Sequence, residues 1–271
     1  MSSINVVVCI YKSDIQETKK KIVFFFRTFK FNIDVLLCCT GDQTISSTVD
    51  KKVNLSESRV SFTTISVSNS LMDIGAYISG YKVIQNTGNL TIFMNDRFLN
   101  DLNTNLFSQY LFKDLSTLIS IKSPLLYGNI SYHGGLTQSS TDSGINYFIP
   151  TYLFVTNPKS DELLKNWAHE IKKIEPMTLD QLEFFLFQKY SRNLYNLAFE
   201  ICMNKSSKFL WPNNKKYNAS EKSLQKKLKC VVAEQLLVET FSKNALIFAL
   251  NSTFVRKIMV RAFLRKMWFK W

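Results

Sequence analysis

Two short polar clusters interrupt the apolar stretches of this chain in a way that permits chemistry. The run Thr91-Ile92-Phe93-Met94 has strand character and stops abruptly at Asn95-Asp96. Upstream, Asp73-Ile74-Gly75-Ala76 opens a helix-like segment. A helix leading into a strand with an acid at its far end is one unit of an α/β sheet. Ligands of such sheets sit in the crevice beyond the carboxyl ends of the strands. A carboxylate there can hold a divalent cation or accept hydrogen bonds from a ligand, and a glycine lets a ligand approach the bare backbone. The plain alternatives are a polar strand end for Asp96, and a helix start for Asp73 and Gly75, with Asp73 as N-cap and Gly75 as packing. Tyr11 and Asp42 close two further strand-like runs. For Tyr11 a core position is an equal reading. His133 precedes Gly134-Gly135 and is either an active-site polar group or metal ligand, or a loop histidine without a role. Asp142, in the polar loop 137–146, is a candidate general base, and His169 reads as surface.

The elements that must position these residues alternate. Residues 4–11 (INVVVCIY) form a continuous β-branched run, the pattern of a strand buried on both faces. Ser13 or Asp14 can cap a helix over 15–29. Residues 33–39 are a second buried strand, 61–67 a third and 90–94 a fourth, with a helix over 74–84 between the last two. This alternation predicts an α/β fold with an open, mostly parallel sheet. Tyr11, Asp42, Asn69 or Asp73, and Asp96 then share one edge. Farther on, 106–115 reads as helical, 116–121 as short and β-branched, and 125–132 as a strand; 147–155 is extended, with Pro150 suggesting an edge or bulge. Helices are expected from Asn157 to about 173, from Thr178 to about 189, over 194–202 and over 224–250.

Charge divides the chain. Residues 201–271 hold 15 Lys and Arg against three acids, so 12 of the 13 net positive charges lie there. The expected organisation is a domain over 1–203, a linker over 204–220 and a basic helical C-terminal appendage over 221–271. The last 18 residues mix six Lys and Arg with Phe263, Trp268, Phe269 and Trp271 and contain no acid. Aromatic rings among basic heads suit an anionic membrane surface. A terminal helix packed on the domain is the plain alternative. Nucleic acid is the least favoured partner, because no nucleic-acid motif accompanies the charge.

Five cysteines, an odd number without a C-x-x-C pair, fit a reduced compartment, and Cys9, Cys38 and Cys39 fall within apolar runs. The N-terminus lacks the basic start of a signal peptide, and no run reaches the roughly 18 apolar residues of a membrane span. The expected location is cytoplasmic, peripheral on the inner face of the membrane.

With this order of elements, the first 170 residues or so resemble GT-A-type glycosyltransferases, and specifically the bacterial rhamnan-synthesis-type polysaccharide glycosyltransferases. The motifs carrying the resemblance are Asp73-Ile74-Gly75-Ala76 and Asn95-Asp96-Arg97-Phe98. Tyr127-Gly128-Asn129 and Tyr147-Phe148-Ile149 look like the family's acceptor-side strands. The resemblance implies a Rossmann-like domain that moves a sugar from a nucleotide-sugar donor to a glycan or lipid-linked acceptor. It implies Asp96, with Asn95, for a divalent cation (Mn²⁺ or Mg²⁺) or the donor ribose and phosphate. Asp73 and Gly75 would bind the donor, and Tyr11 and Asp42 the nucleobase. The chain departs from the family at Leu71-Met72, where Gly-Arg is common, and at Asn95-Asp96, which replaces Asp-x-Asp.

Overall fold

The run from Ile4 to Ile10 has no polar face to turn to water, and it becomes the central strand β1 (Ser3–Ile10), buried from its second residue onward. The computed structural model describes residues 3–11, 13–40, 48–49, 53–54, 59–68, 70–85, 87–99, 115, 117–128, 131–132, 147–148, 153–189 and 221–249. β1 lies parallel to β2 (Asn32–Thr40) on one side and to β6 (Leu90–Asn95) on the other. β2 continues to β5 (Arg59–Val67), also parallel, which carries the two-residue strands β3 (Thr48–Val49) and β4 (Val53–Asn54) antiparallel. Beyond β6 come β10 (Leu153–Thr156), antiparallel to both neighbours, then β7 (Leu125–Gly128), then β11 (Leu246–Ala249), parallel to β7. The result is an α/β fold with a mixed, mostly parallel sheet and flanking helices. A separate two-stranded ribbon joins β8 (Ser131–Tyr132) to β9 (Tyr147–Phe148).

The period of two along the strands divides the interior into two cores. Val7, Cys9, Leu36, Cys38 and Phe93 face one side, and Val6, Val8, Leu37, Ile92 and Met94 the other. Helix α1 (Ile15–Phe26) covers the second side with Ile22, Phe25 and Phe26. Its cap is Asp14, whose side chain accepts from the Glu17 amide at 2.8 Å. Helix α2 (Met72–Ile84) covers the first side. There Tyr77 meets Phe93 and Phe154 edge-on, each at 5.7 Å, while those two rings stack at 4.5 Å. Such pairs add about 0.5–1.5 kcal/mol each beyond the area they bury.

After the short α3 (Asp96–Leu99), residues 117–120 are helical, so the β-branched stretch 116–121 does not form a strand. A 3-10 turn, Pro158–Ser160, leads into α4 (Asp161–Ile174), followed by α5 (Leu179–Lys189). The turn pins the start of β7: Ser160 Oγ accepts from the Leu125 amide at 2.8 Å, and Asn157 Nδ2 donates to the carbonyls of Ile121 and Ser123. His169 is exposed on α4, as its sequence context suggests.

The largest correction concerns the C-terminal part. The helix expected over 224–250 is α6 (Glu221–Ser242), and it stops eight residues early. The Asn244 and Ala245 amides close back on the Phe241 carbonyl, and the Leu246 amide donates to the Pro124 carbonyl at 2.9 Å, which starts β11. Nor is α6 an appendage: Leu228, Val232, Leu236, Leu237 and Phe241 are fully or almost fully buried in the first core. Trp167 Nε1 on α4 donates to the Ala233 carbonyl at 2.9 Å, and Lys229 Nζ donates to the Glu175 carbonyl. Seven of the 15 Lys and Arg of residues 201–271 lie beyond position 242, and the helix before them belongs to the fold. The segments 106–114, 190–220 and 250–271, including the linker and the basic-aromatic tail, lie outside the described residues. Among the described residues no helix is long and apolar enough to cross a membrane.

Gly80 sits where α2 lies close against the sheet. A Cβ there would lie 2.4 Å from Val7 Cγ1 and 3.0 Å from Cys38 Sγ. At Gly75 the same atom would meet only ordinary contacts at 3.6 Å. Gly80→Ala is therefore expected to lower stability by about 1–3 kcal/mol. Gly75→Ala is expected to leave it unchanged or raise it by up to about 1 kcal/mol, read from urea unfolding midpoints.

Candidate functional site

The strand order reverses at β1. From β1 the chain builds outward through β2 to β5, then returns to place β6 on the other flank of β1. At such a switch point the two adjacent carboxyl ends diverge into opposite connections, leaving a crevice. Here those ends are Ile10–Tyr11 and Asn95–Asp96, with Cys9 and Asn95 side by side in register.

Asp96 is the first residue of α3 and is 9% exposed. Its Oδ2 accepts from the Tyr11 amide at 3.0 Å and the Ser13 amide at 3.3 Å. The carboxylate thus clasps the turn between β1 and α1 to the end of β6. Asn95 works in two directions. Its Oδ1 accepts from the Phe98 amide at 2.9 Å, and its Nδ2 donates to Asp73 Oδ2 at 3.3 Å. The consecutive residues Asn95 and Asp96 therefore carry two hydrogen-bonded links, one to Asp73 of α2 and one to the turn after β1.

Two plain alternatives from the sequence are corrected. Asp73 is not the N-cap of α2; Leu71 holds that position without a side-chain cap, and Asp73 lies inside the first turn. Its carboxylate is directed at Asn95 instead. Tyr11 is not a core residue; it is 46% exposed at the site edge. Gly75 occupies the same first turn, and no neighbour of it excludes a methyl group. The backbone beside it is unusual: Met72 has φ of 51°, a left-handed conformation rare for a residue with a side chain. Such strain persists only where surrounding structure enforces it. The Leu71 carbonyl before it accepts from Cys230 Sγ at 3.4 Å, so α6 helps hold this turn. Asp42, His133, Asp142 and Asn69 lie outside the described residues.

Two residues behind the site were not legible as part of it. Cys9 and Tyr77 are buried against the carboxylates. Burial first, then the charges of Asp73 and Asp96, push the Cys9 thiol far above its ordinary range. Burial and Asp73 lead the same effect on the Tyr77 phenol. Both groups sense both carboxylates, so the negative charge of Asp73 and Asp96 is concentrated at one place. Magnesium-type cations are commonly held by one or two carboxylates, with phosphate oxygens supplying other ligands. Asp73 and Asp96 are the two carboxylates of this group that could contribute to such a site. Among the described residues no group of three or more His, Cys, Asp or Glu side chains could hold a metal ion.

Comparison with known proteins finds no family that matches the chain and no curated protein similar to it in sequence.

Removing the clasp leaves two backbone N–H groups without their acceptor. Asp96→Ala should cost about 1–3 kcal/mol in urea unfolding. Asp96→Asn, which keeps an acceptor oxygen, should cost less. Equal stability of the alanine variant and the unaltered chain would exclude the clasp. The thiols give a second test. Burial pushes Cys38 up to about 12, beside the larger effect at Cys9. The folded chain keeps these protons where the unfolded chain loses them, so their contribution is full below the ordinary thiol pKa and falls as pH rises through it. Alkylation at about pH 8, read peptide by peptide, should leave Cys9 and Cys38 unmodified in the folded chain, and the urea midpoint should decline above about pH 9.

Proposed function

We propose that this chain is a GT-A-like glycosyltransferase that moves a sugar from a nucleotide-sugar donor to a glycan or lipid-linked acceptor. The observation that carries this reading is the placing of Asp73, hydrogen-bonded to Asn95, and of the adjacent Asp96 at the reversal of strand order in a mostly parallel sheet. The parallel strands β6, β1, β2 and β5 make the Rossmann-like half of the fold, and the donor lies across their carboxyl edge. Asp73 and Asp96 hold a divalent cation, manganese or magnesium, whose charge offsets that of the leaving diphosphate. Gly75 lets the diphosphate approach the backbone, which explains a glycine that packing does not require. Tyr11, presented by the clasped turn, takes the nucleobase with Asp42. His133 and Asp142 are the sequence's candidates for a polar group and a base near the acceptor. Polysaccharide synthesis on the cytoplasmic face of a membrane is the setting this implies.

One observation favours a second reading. Asp96 Oδ2 is engaged by two backbone amides, and the Asp-x-Asp pattern is absent. A protein that binds nucleotide sugars or glycans without transferring them would need no more than that.

A thermal-shift series on the full chain distinguishes these, using UDP, GDP, dTDP and CMP sugars with and without manganese. One nucleotide class should stabilise the protein, by about 2.7 kcal/mol at a hundredfold excess over Kd. Asp73→Asn should remove the manganese-dependent part. Binding without turnover would support the second reading, and no stabilisation by any donor would contradict both.

A further inference from the structure

Helix α1 buries one face and leaves another that is neither ordinary surface nor core. Lys19, Lys20, Val23, Phe24 and Arg27 recur three and four residues apart, so they form a single stripe on the exposed side. With Phe62 of β5 they line a groove of about 520 Å³. Phe24 is 51% exposed, and the Arg27 guanidinium lies 3.5 Å from the centre of its ring. The Lys19 ammonium lies 5.8 Å from the centre of the Phe62 ring. Among the described residues no acid lines the groove. The acid nearest in sequence, Glu17, pairs with Lys21 at 2.5 Å. A solvated helix face is usually mixed in charge and short of large apolar groups. This one combines three cations with the half-exposed Phe24 ring.

We propose that this groove is a docking site for an anionic phospholipid headgroup in a membrane surface. The charge complementarity is direct: Lys19, Lys20 and Arg27 meet the phosphate, and their aliphatic stems lie along apolar surface while the charged heads reach the lipid. Phe24 and Val23 take the glycerol and the first methylenes of the chains. A volume of about 520 Å³ falls within the range of small-ligand pockets. The site is formed by α1 and Phe62, and it does not rest on the transfer reading. It also has a consequence for orientation. Asp14 caps α1 directly after the turn clasped by Asp96, so docking through this face fixes how the carboxyl edge of the sheet stands against the bilayer.

The test is co-sedimentation of the full chain with phosphatidylcholine vesicles containing phosphatidylglycerol. The groove variant is Lys19→Glu/Lys20→Glu/Arg27→Glu. A charge-matched control, Lys82→Glu/Lys172→Glu/Lys243→Glu, alters exposed lysines elsewhere. Each basic residue near an anionic leaflet contributes about fivefold to partitioning. The groove variant should therefore lose at least about tenfold in affinity while the control stays within about twofold. Phe24→Ser, which leaves the charge intact, should lose severalfold. Equal losses in groove variant and control, or no loss in the groove variant, would overturn the proposal. Loss of binding to a poly-glutamate peptide with vesicle binding unchanged would assign the groove to an acidic polypeptide and overturn it as well.

Discussion

A single carboxylate ties the two halves of the sheet edge together. Asp96 begins the short helix after β6, and its Oδ2 accepts the amides of Tyr11 and Ser13 in the turn after β1. A charged acceptor in a nearly buried position makes these bonds stronger than neutral ones. Through them the direction in which β1 hands over to α1 is set by the end of a strand more than 80 residues later. Asn95 then extends the link to Asp73 on α2. Three of the connections that leave the carboxyl edge, those after β1, β5 and β6, are thus held relative to one another by side-chain hydrogen bonds.

The packing beneath explains why this edge is rigid. The alternation of each strand feeds two cores, and α2 comes so close to β1 and β2 that only a glycine fits at position 80. The aromatic stack of Phe93 and Phe154 binds the antiparallel strand β10 to β6, and Trp167 and α6 close the same face. Cys9 and Tyr77 form the floor under the carboxylates. Their buried, protonated state leaves the negative charge of the site to Asp73 and Asp96 alone within this group.

Much of this was readable from residue types. The runs 4–11, 33–39, 61–67 and 90–94 are continuous or alternating apolar stretches bounded by polar turns, and each became a strand within two residues of those limits at either end. Asp14 as a cap, His169 on the surface and the shared edge of Tyr11, Asp73 and Asp96 followed from the same logic. What was not readable depended on distant partners. Leu246-Ile247-Phe248-Ala249 continues the apolar spacing of α6, and only pairing with β7, 121 residues earlier, makes it a strand. Short apolar runs do not distinguish helix from strand by periodicity. The role of Asp73 was hidden for a local reason: an acid at a helix start reads as a cap, but the left-handed Met72 shifts the helix entry to Leu71 and releases the carboxylate. Gly80 gave no signal, because a glycine inside a helix does not announce which neighbour it must admit.

The proposed donor site is the crevice at the ends of β1 and β6. Hydrogen–deuterium exchange on the full chain, with and without the nucleotide sugar that stabilises it, tests this directly. Exchange should slow in peptides covering Tyr11 to Asp14, Leu71 to Tyr77 and Asn95 to Phe98, with little change along α4 and α5. Protection confined to other segments, with these three unaffected while the ligand is bound, would contradict it.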